Sequence, residues 1–174
     1  QMLTLRTLGE CLNYNAYGES INDLHYPPDE LYETLRYYEN PLDFAVAEPV
    51  YEVLRTALSD DLVRAAEIAP LLMRESAAAF LLPDAAWSRR ISGLFSNQLT
   101  YGFPMRAHAV LTVRPGGYLV SVRTPASVPV GADTLCRQFD SGGGRARAAG
   151  IQLLPEDDLA RFLSAFERAF SARG

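Results

Sequence analysis

Apolar residues recur at intervals of three and four through the first seventy positions, the period of one helix face. Leu3, Leu5, Leu8, Cys11 and Leu12 predict a helix over Met2 to Tyr14. The polar aromatic run Asn13–Gly18 follows, with its glycine as a helix stop. Such a run is either a hydrogen-bonding surface for a ligand or a turn in which asparagine amides replace missing backbone partners. Pro27-Pro28-Asp29-Glu30 reads as a helix start, with proline in the first turn and acids at the positive end of the dipole. Leu31, Tyr32, Leu35 and Tyr38 continue it, and Asn40-Pro41 ends it, because the residue before proline avoids helical backbone. Glu48-Pro49 opens a longer helix with Val50, Val53, Leu54, Ala57, Leu58, Leu62, Ala65, Ala66 and Ile68 as its apolar positions. Arg55, Arg64 and Glu67 fall on its solvated face.

The pattern changes near Ala77. Ala77–Leu82 is a short apolar run stopped by Pro83-Asp84 and predicts a buried strand. Ile91, Leu94, Phe95 and Leu99 predict a helix over Trp87 to Thr100. Ala107–Val113 and Tyr118–Val122 flank Pro115-Gly116-Gly117, the signature of a β-hairpin. Val130–Phe139 reads as a short helix and Ala148–Leu154 as a strand. Pro155 opens a closing helix on which Leu159, Phe162, Leu163, Phe166 and Phe170 form one stripe. The expected fold is α/β: a mixed β-sheet domain packed by helices over 77–174, preceded by a mostly helical linker segment over 1–76.

Net charge is −5, so anion binding has to be local rather than a property of the whole surface. All sixteen basic residues are arginine, which leaves no lysine for Schiff-base or P-loop chemistry. The two cysteines, Cys11 and Cys136, lie far apart in no metal-like pattern and suggest free thiols in a reducing cytosol, hence a cytoplasmic protein. No apolar run reaches the ~20 residues of a membrane span, and no signal peptide is visible, so no membrane partner is expected. The chain starts at Gln1 inside what reads as ordered structure, and a fragment of a longer protein is expected. Asp23-Leu24-His25 places two potential metal ligands together but lacks a third; a packed or capping histidine is the better reading of His25. His108, central in the first hairpin strand, and Phe139 read as core.

The candidate site is Asp140-Ser141-Gly142-Gly143-Gly144-Arg145-Ala146-Arg147-Ala148-Ala149-Gly150. Three glycines let a backbone approach a ligand closely, and successive amides in a turn form a concave anion site. A guanidinium grips phosphate or carboxylate with two hydrogen bonds. The bland alternative is a glycine-rich hairpin turn with two solvated arginines.

The strand Val120-Ser121-Val122-Arg123, the helix ending at Phe139, the Gly142–Gly144 run and Ala148-Ala149-Gly150 match, in type and order, the C-terminal substrate-binding domain of the DHH phosphoesterase superfamily, and so the chain resembles the RecJ-like and nanoRNase-like proteins. The resemblance covers roughly 79–170. Arg145 stands where that family usually has histidine, and Ser141 where an extra glycine is common. The resemblance implies a phosphate or nucleotide end held by Arg123, Ser141, Gly142, Gly143, Gly144, Arg145 and Arg147. It also implies a partner: an N-terminal DHH catalytic domain of the same parent protein, in which manganese activates a water for phosphoester cleavage. This sequence has two histidines and no Asp-His-His run. No catalytic residue, metal ligand or cofactor is therefore expected here, and the chain alone is expected to be inactive. The expected ligand is a nucleotide or short oligonucleotide phosphate, and a homodimer is one assembly open to it. Two other classes stay open. The same domain type contacts tRNA in alanyl-tRNA synthetases, though the His-x-x-x-His and Cys-x-x-x-His patterns of their editing domains are absent here. The other is a non-catalytic interaction module.

Overall fold

The computed structural model describes residues 2–170. In chain order the elements are α1 (Met2–Tyr14), α2 (Pro28–Leu35), α3 (Pro41–Ala47), α4 (Pro49–Ala66), β1 (Pro70–Met73), β2 (Ala77–Leu82), α5 (Ala86–Gly102), β3 (Ala107–Arg114), β4 (Gly117–Arg123), α6 (Ala132–Cys136), β5 (Gly142–Arg145), β6 (Ala148–Pro155) and α7 (Leu159–Phe170). The chain forms two compact units. One takes the residues up to Glu67 together with Ala85–Leu94; the other takes Ile68–Asp84 and everything from Phe95 onward.

The first unit is helical, as its 3.6-residue period dictates. On α4 the buried positions are Val50, Tyr51, Leu54, Leu58, Asp61 and Ala65, one stripe broken by a carboxylate. They pack with Leu8, Cys11 and Tyr14 of α1 and Phe44 of α3. Asn40-Pro41, expected only to end a helix, also opens one. Asn40 Oδ1 accepts from Leu42 N (3.2 Å) and Pro41 occupies the first helical turn of α3.

Asp61 is buried because a network meets it. Arg90 donates to Asp61 Oδ2 from Nη2 (2.8 Å) and Nε (3.1 Å). Tyr14 Oη donates to the same oxygen at 2.5 Å. That donation uses the only hydroxyl proton, so His25 Nε2, 2.9 Å from Tyr14 Oη, is the donor in that pair. Arg90 also reaches the Asp23 carbonyl oxygen. Arg89 holds the Asp23 carboxylate with two bonds, 2.8 and 3.0 Å, and keeps its pKa down at about 2. Burial among these groups lowers the pKa of His25 and, with the Asp61 hydrogen bond, raises that of Tyr14 well above the phenolic range. The asparagine run is a structured turn: Asn15 Oδ1 accepts from His25 N and Tyr26 N, and its Nδ2 donates to Tyr26 O. Asp23 and His25 thus serve an arginine and a tyrosine.

In the second unit the described strands form one six-stranded mixed sheet, ordered β1-β2-β3-β4-β6-β5. Only β2 and β3 run parallel, joined through α5; the other neighbours are antiparallel. One sheet face is made of small and β-branched residues: Ala77 and Ala79, Ala107 and Ala109, Val120 and Val122, Ala149 and Ile151. The bulky partners come from α6 and α7, with Leu135, Phe162, Phe166 and Phe170 filling the space above the alanines. On the other face Phe95 of α5 meets Phe80 edge-on at 5.6 Å.

The sequence places a division at 76/77; the backbone contacts group the chain differently. The break falls after Glu67, because Pro70–Met73, which lacks helical length and was expected to belong to the linker, pairs with β2 as an edge strand. Pro70 opens it, a position where a strand tolerates the missing N–H. The helix expected over Val130–Phe139 is α6, trimmed to five residues.

The buried pair sets an expectation for stability. Asp61→Ala leaves Arg90 in the interior without its counter-charge. The loss should be about 3–5 kcal/mol, read as a fall in the urea unfolding midpoint. Arg64→Ala, whose partner contact with Asp61 is 3.6 Å from an exposed position, should change it by under ~1 kcal/mol.

Candidate functional site

The glycine run expected as a loop is a strand. Gly142–Arg145 pairs antiparallel with β6, in the register Gly142↔Ile151, Gly143↔Gly150, Gly144↔Ala149 and Arg145↔Ala148. Ala146-Arg147 is the turn between them. Ser141, at φ 60°, swings the chain out of α6; Gly142 N then donates to Phe139 O (3.0 Å) and Gln152 N to Ser141 O (3.3 Å).

Each glycine has a separate reason, or none. A Cβ on Gly142 would lie 1.8 Å from the Cys136 carbonyl oxygen of α6. One on Gly144, at φ 136°, would lie 2.5 Å from Ala149 Cα. One on Gly143 meets nothing within 4 Å. Strand alternation explains the difference. Gly142 backs onto α6 and Gly144 onto Ala149 of β6, whereas Gly143 and Arg145 fall in the register rows of the opposite face.

Following the register across the sheet gives two rows on that opposite face. Gly143, Gly150, Ser121 and Val110 form one; Arg145, Ala148, Arg123 and His108 form the next. Arg145 and Arg123 therefore stand two strands apart, about 10 Å between backbones, over a floor of glycine and alanine. Gly150 is itself held bare, since a Cβ there would lie 2.6 Å from Val120 O.

The two arginines differ. Arg123 is braced: its Nε donates to Asn97 Oδ1 of α5 (3.3 Å) and its Nη1 to Ser121 Oγ (2.9 Å) and Val122 O (3.2 Å). Arg145 is exposed and has no hydrogen-bond or ion-pair partner among the described residues; it does not pair with Asp140. The remaining expected site residues lie elsewhere. Arg147 donates to the carbonyl oxygens of Pro125 and, at 2.7 Å, Ala126, tying down the segment after β4. The Ser141 hydroxyl is engaged with the Leu153 backbone N (3.1 Å) and O (3.3 Å). The structure thus gathers Arg123, Gly143 and Arg145 on one face and gives Ser141, Gly142, Gly144 and Arg147 contacts within the hairpin, α6 and the 125–126 segment. Ser121 and Gly150, which belong to the matched motifs, join the gathered set through the strand register; Asn97 joins it without a sequence signal, because only α5 brings it there.

His108 lies in the second row beside Arg123. It is 1% exposed, and neither ring nitrogen has a hydrogen-bond partner. Burial, and the nearby Arg106 charge, push its pKa down to about 4. It is a neutral packed imidazole. Among the described residues no group of three His, Cys, Asp or Glu side chains could hold a metal ion.

No family model and no curated protein matches the chain. Solved structures do. RecJ from Thermus thermophilus, in complex with Mn2+, aligns with a TM-score of 0.63 at 15% identity, over 94% of this chain and 23% of that one. PggH from Vibrio cholerae, a pGpG-specific phosphodiesterase, aligns with a TM-score of 0.61 at 13% identity, over 93% and 55%. An exopolyphosphatase-related protein from Bacteroides fragilis aligns with a TM-score of 0.50 at 14% identity, over 83% and 38%. The fold is one that these three proteins contain. The chain spans about a quarter to just over half of their lengths.

Two outcomes follow from this geometry. Gly142→Ala drives a methyl into the Cys136 carbonyl and should destabilise the protein by about 1–3 kcal/mol, while Gly143→Ala should leave the melting temperature unchanged or higher. Separately, both histidines have depressed pKa values, so the unfolded chain binds more protons than the native one between pH 6.5 and about 4. Stability should fall as pH falls through that window, and His108→Leu should flatten the fall measured by denaturant titration at several pH values.

Proposed function

We propose that this chain is the substrate-holding portion of a DHH-type phosphoesterase and that its arginine face binds the phosphate of a nucleotide or short oligonucleotide. One observation carries the reading: Gly143 is bare for no packing reason, in the row next to a partnerless Arg145 and a braced Arg123. An arginine with no partner among the described residues, beside a floor without side chains, fits an anion that comes within hydrogen-bond distance of both. Net charge is −5, so attraction comes from this patch alone. The catalytic domain with its manganese is, in this reading, another part of the parent protein. The fold match to a segment of RecJ and PggH supports that division of labour.

The test is a titration of the parent protein with a 5′-phosphorylated dinucleotide, using Arg145→Ala. Losing a charge-assisted hydrogen bond removes roughly 1.5–3 kcal/mol, so affinity should drop about ten- to a hundredfold. The melting temperature should hold, because an exposed arginine contributes little to folding. An unchanged affinity overturns the reading.

A further inference from the structure

The segment between α5 and β3 is an ordered turn that keeps large apolar side chains in solvent. Phe103 N donates to Leu99 O (2.9 Å), Arg106 N to Phe103 O (3.0 Å) and Ala107 N to Ser76 O (2.9 Å), so its backbone is held at both ends. Yet Phe103 is 50% exposed and Met105 69%. The turn and Glu75 line a cleft of about 240 Å3. The Phe103 ring lies beside His108 of β3, with centroids 6.3 Å apart. In the strand register His108 pairs with Ala78, and Ala78 with Met73 of the edge strand β1. Met73 is exposed as well, so this end of the sheet presents three large apolar side chains to solvent.

The cleft also carries one charge of each sign. Arg106 Nε donates to Glu75 O (3.0 Å), and its guanidinium lies 4.6 Å from the Phe103 centroid. The Glu75 carboxylate has no hydrogen-bond or ion-pair partner among the described residues, and Arg106 has no acidic one. An aromatic ring and a methionine at the centre, with charge at the rim, is the composition of a protein interface. The charges indicate which protein. Two copies that meet about a twofold axis set the same patch against itself. A patch of one sign would then repel itself. A patch with an acid and a base on one cleft can set each acid opposite a base.

We propose that this turn is the surface through which the protein associates with a second copy of itself. The copies meet about a twofold axis, with Phe103 and Met105 of each at the centre and Glu75 of each facing Arg106 of the other. Side chains make the contact. β1 adds little backbone pairing, because it is four residues long and begins with proline, features by which an edge strand resists a further neighbour. The inference is independent of the phosphate reading, since none of these residues belongs to the arginine face.

The experiment is sedimentation of the full-length protein over a range of concentrations, followed by exchange of the charges. The unmodified protein should form a dimer. Met105→Asp, which sets a charge at the centre of the contact, should leave it monomeric and folded by circular dichroism. Glu75→Arg and Arg106→Glu each oppose like charges and should weaken association about tenfold or more. The double exchange, Glu75→Arg with Arg106→Glu, opposes unlike charges again and should associate more tightly than either single variant. Val46→Asp, at an exposed apolar residue of α3, should leave the dimer intact. A protein that is monomeric at every concentration overturns the proposal. So does a dimer that survives Met105→Asp, or a double exchange no tighter than the single ones. A monomer whose melting temperature falls with Met105→Asp shows that another part of the full-length chain covers the patch, and that also overturns it.

Discussion

The close approach of β5 to α6 fixes everything the candidate site can do. The Gly142 backbone sits against the Cys136 carbonyl with no room for a methyl group, and Gly142 N donates to Phe139 O. That contact decides which way the edge strand faces. With Gly142 against α6 and Gly144 against Ala149 of the neighbouring strand, alternation leaves Gly143 and Arg145 on the outer side. A slip of one residue would send Arg145 into α6 and bring Gly144 out. The glycines are therefore first a packing device, and the open surface at the middle one is a consequence of where the packing puts it.

Much of this was legible in the sequence. The 107–123 hairpin, β2, β6, α5 and α7 all have strong local signals: a Pro-Gly-Gly turn, an unbroken apolar run, or apolar positions at helical spacing. What failed to show were elements made by tertiary contact. β1 is four residues long, begins with proline and is mostly exposed, so nothing local distinguishes it from a helix end. β5 contains three of the residues least inclined to form strands, and it is a strand because Ser141 turns the chain and β6 supplies the pairing. The site was half legible for the same reason. Composition singles out Arg145 and Arg147 equally. Only the register shows that one is on the face with Arg123 while the other turns to the carbonyls of Pro125 and Ala126.

The two units treat their arginines in opposite ways, and the contrast bears on function. In the first, Arg90 is buried, with Asp61, Tyr14 and the Asp23 carbonyl all turned toward it. Its donors are met by protein acceptors, so the group organises the fold and has nothing left for a ligand. In the second, an amide, a hydroxyl and a backbone carbonyl set the orientation of Arg123. Arg145 is oriented by its strand alone.

Arg145 stands where the family resemblance leads one to expect histidine, and the exchange changes the chemistry in a definite way. An imidazole near neutral pH is charged only part of the time, and it can give or take a proton. A guanidinium is charged at every relevant pH, presents several donors in a plane, and cannot act as an acid or a base. At this position the chain therefore carries a permanent positive charge on a side chain that takes no part in proton transfer. The one histidine in the neighbourhood does not restore that role, since His108 is sealed from solvent and held neutral by burial. Permanent charge without a proton-transfer group is the chemistry that the phosphate-binding proposal calls for on this face.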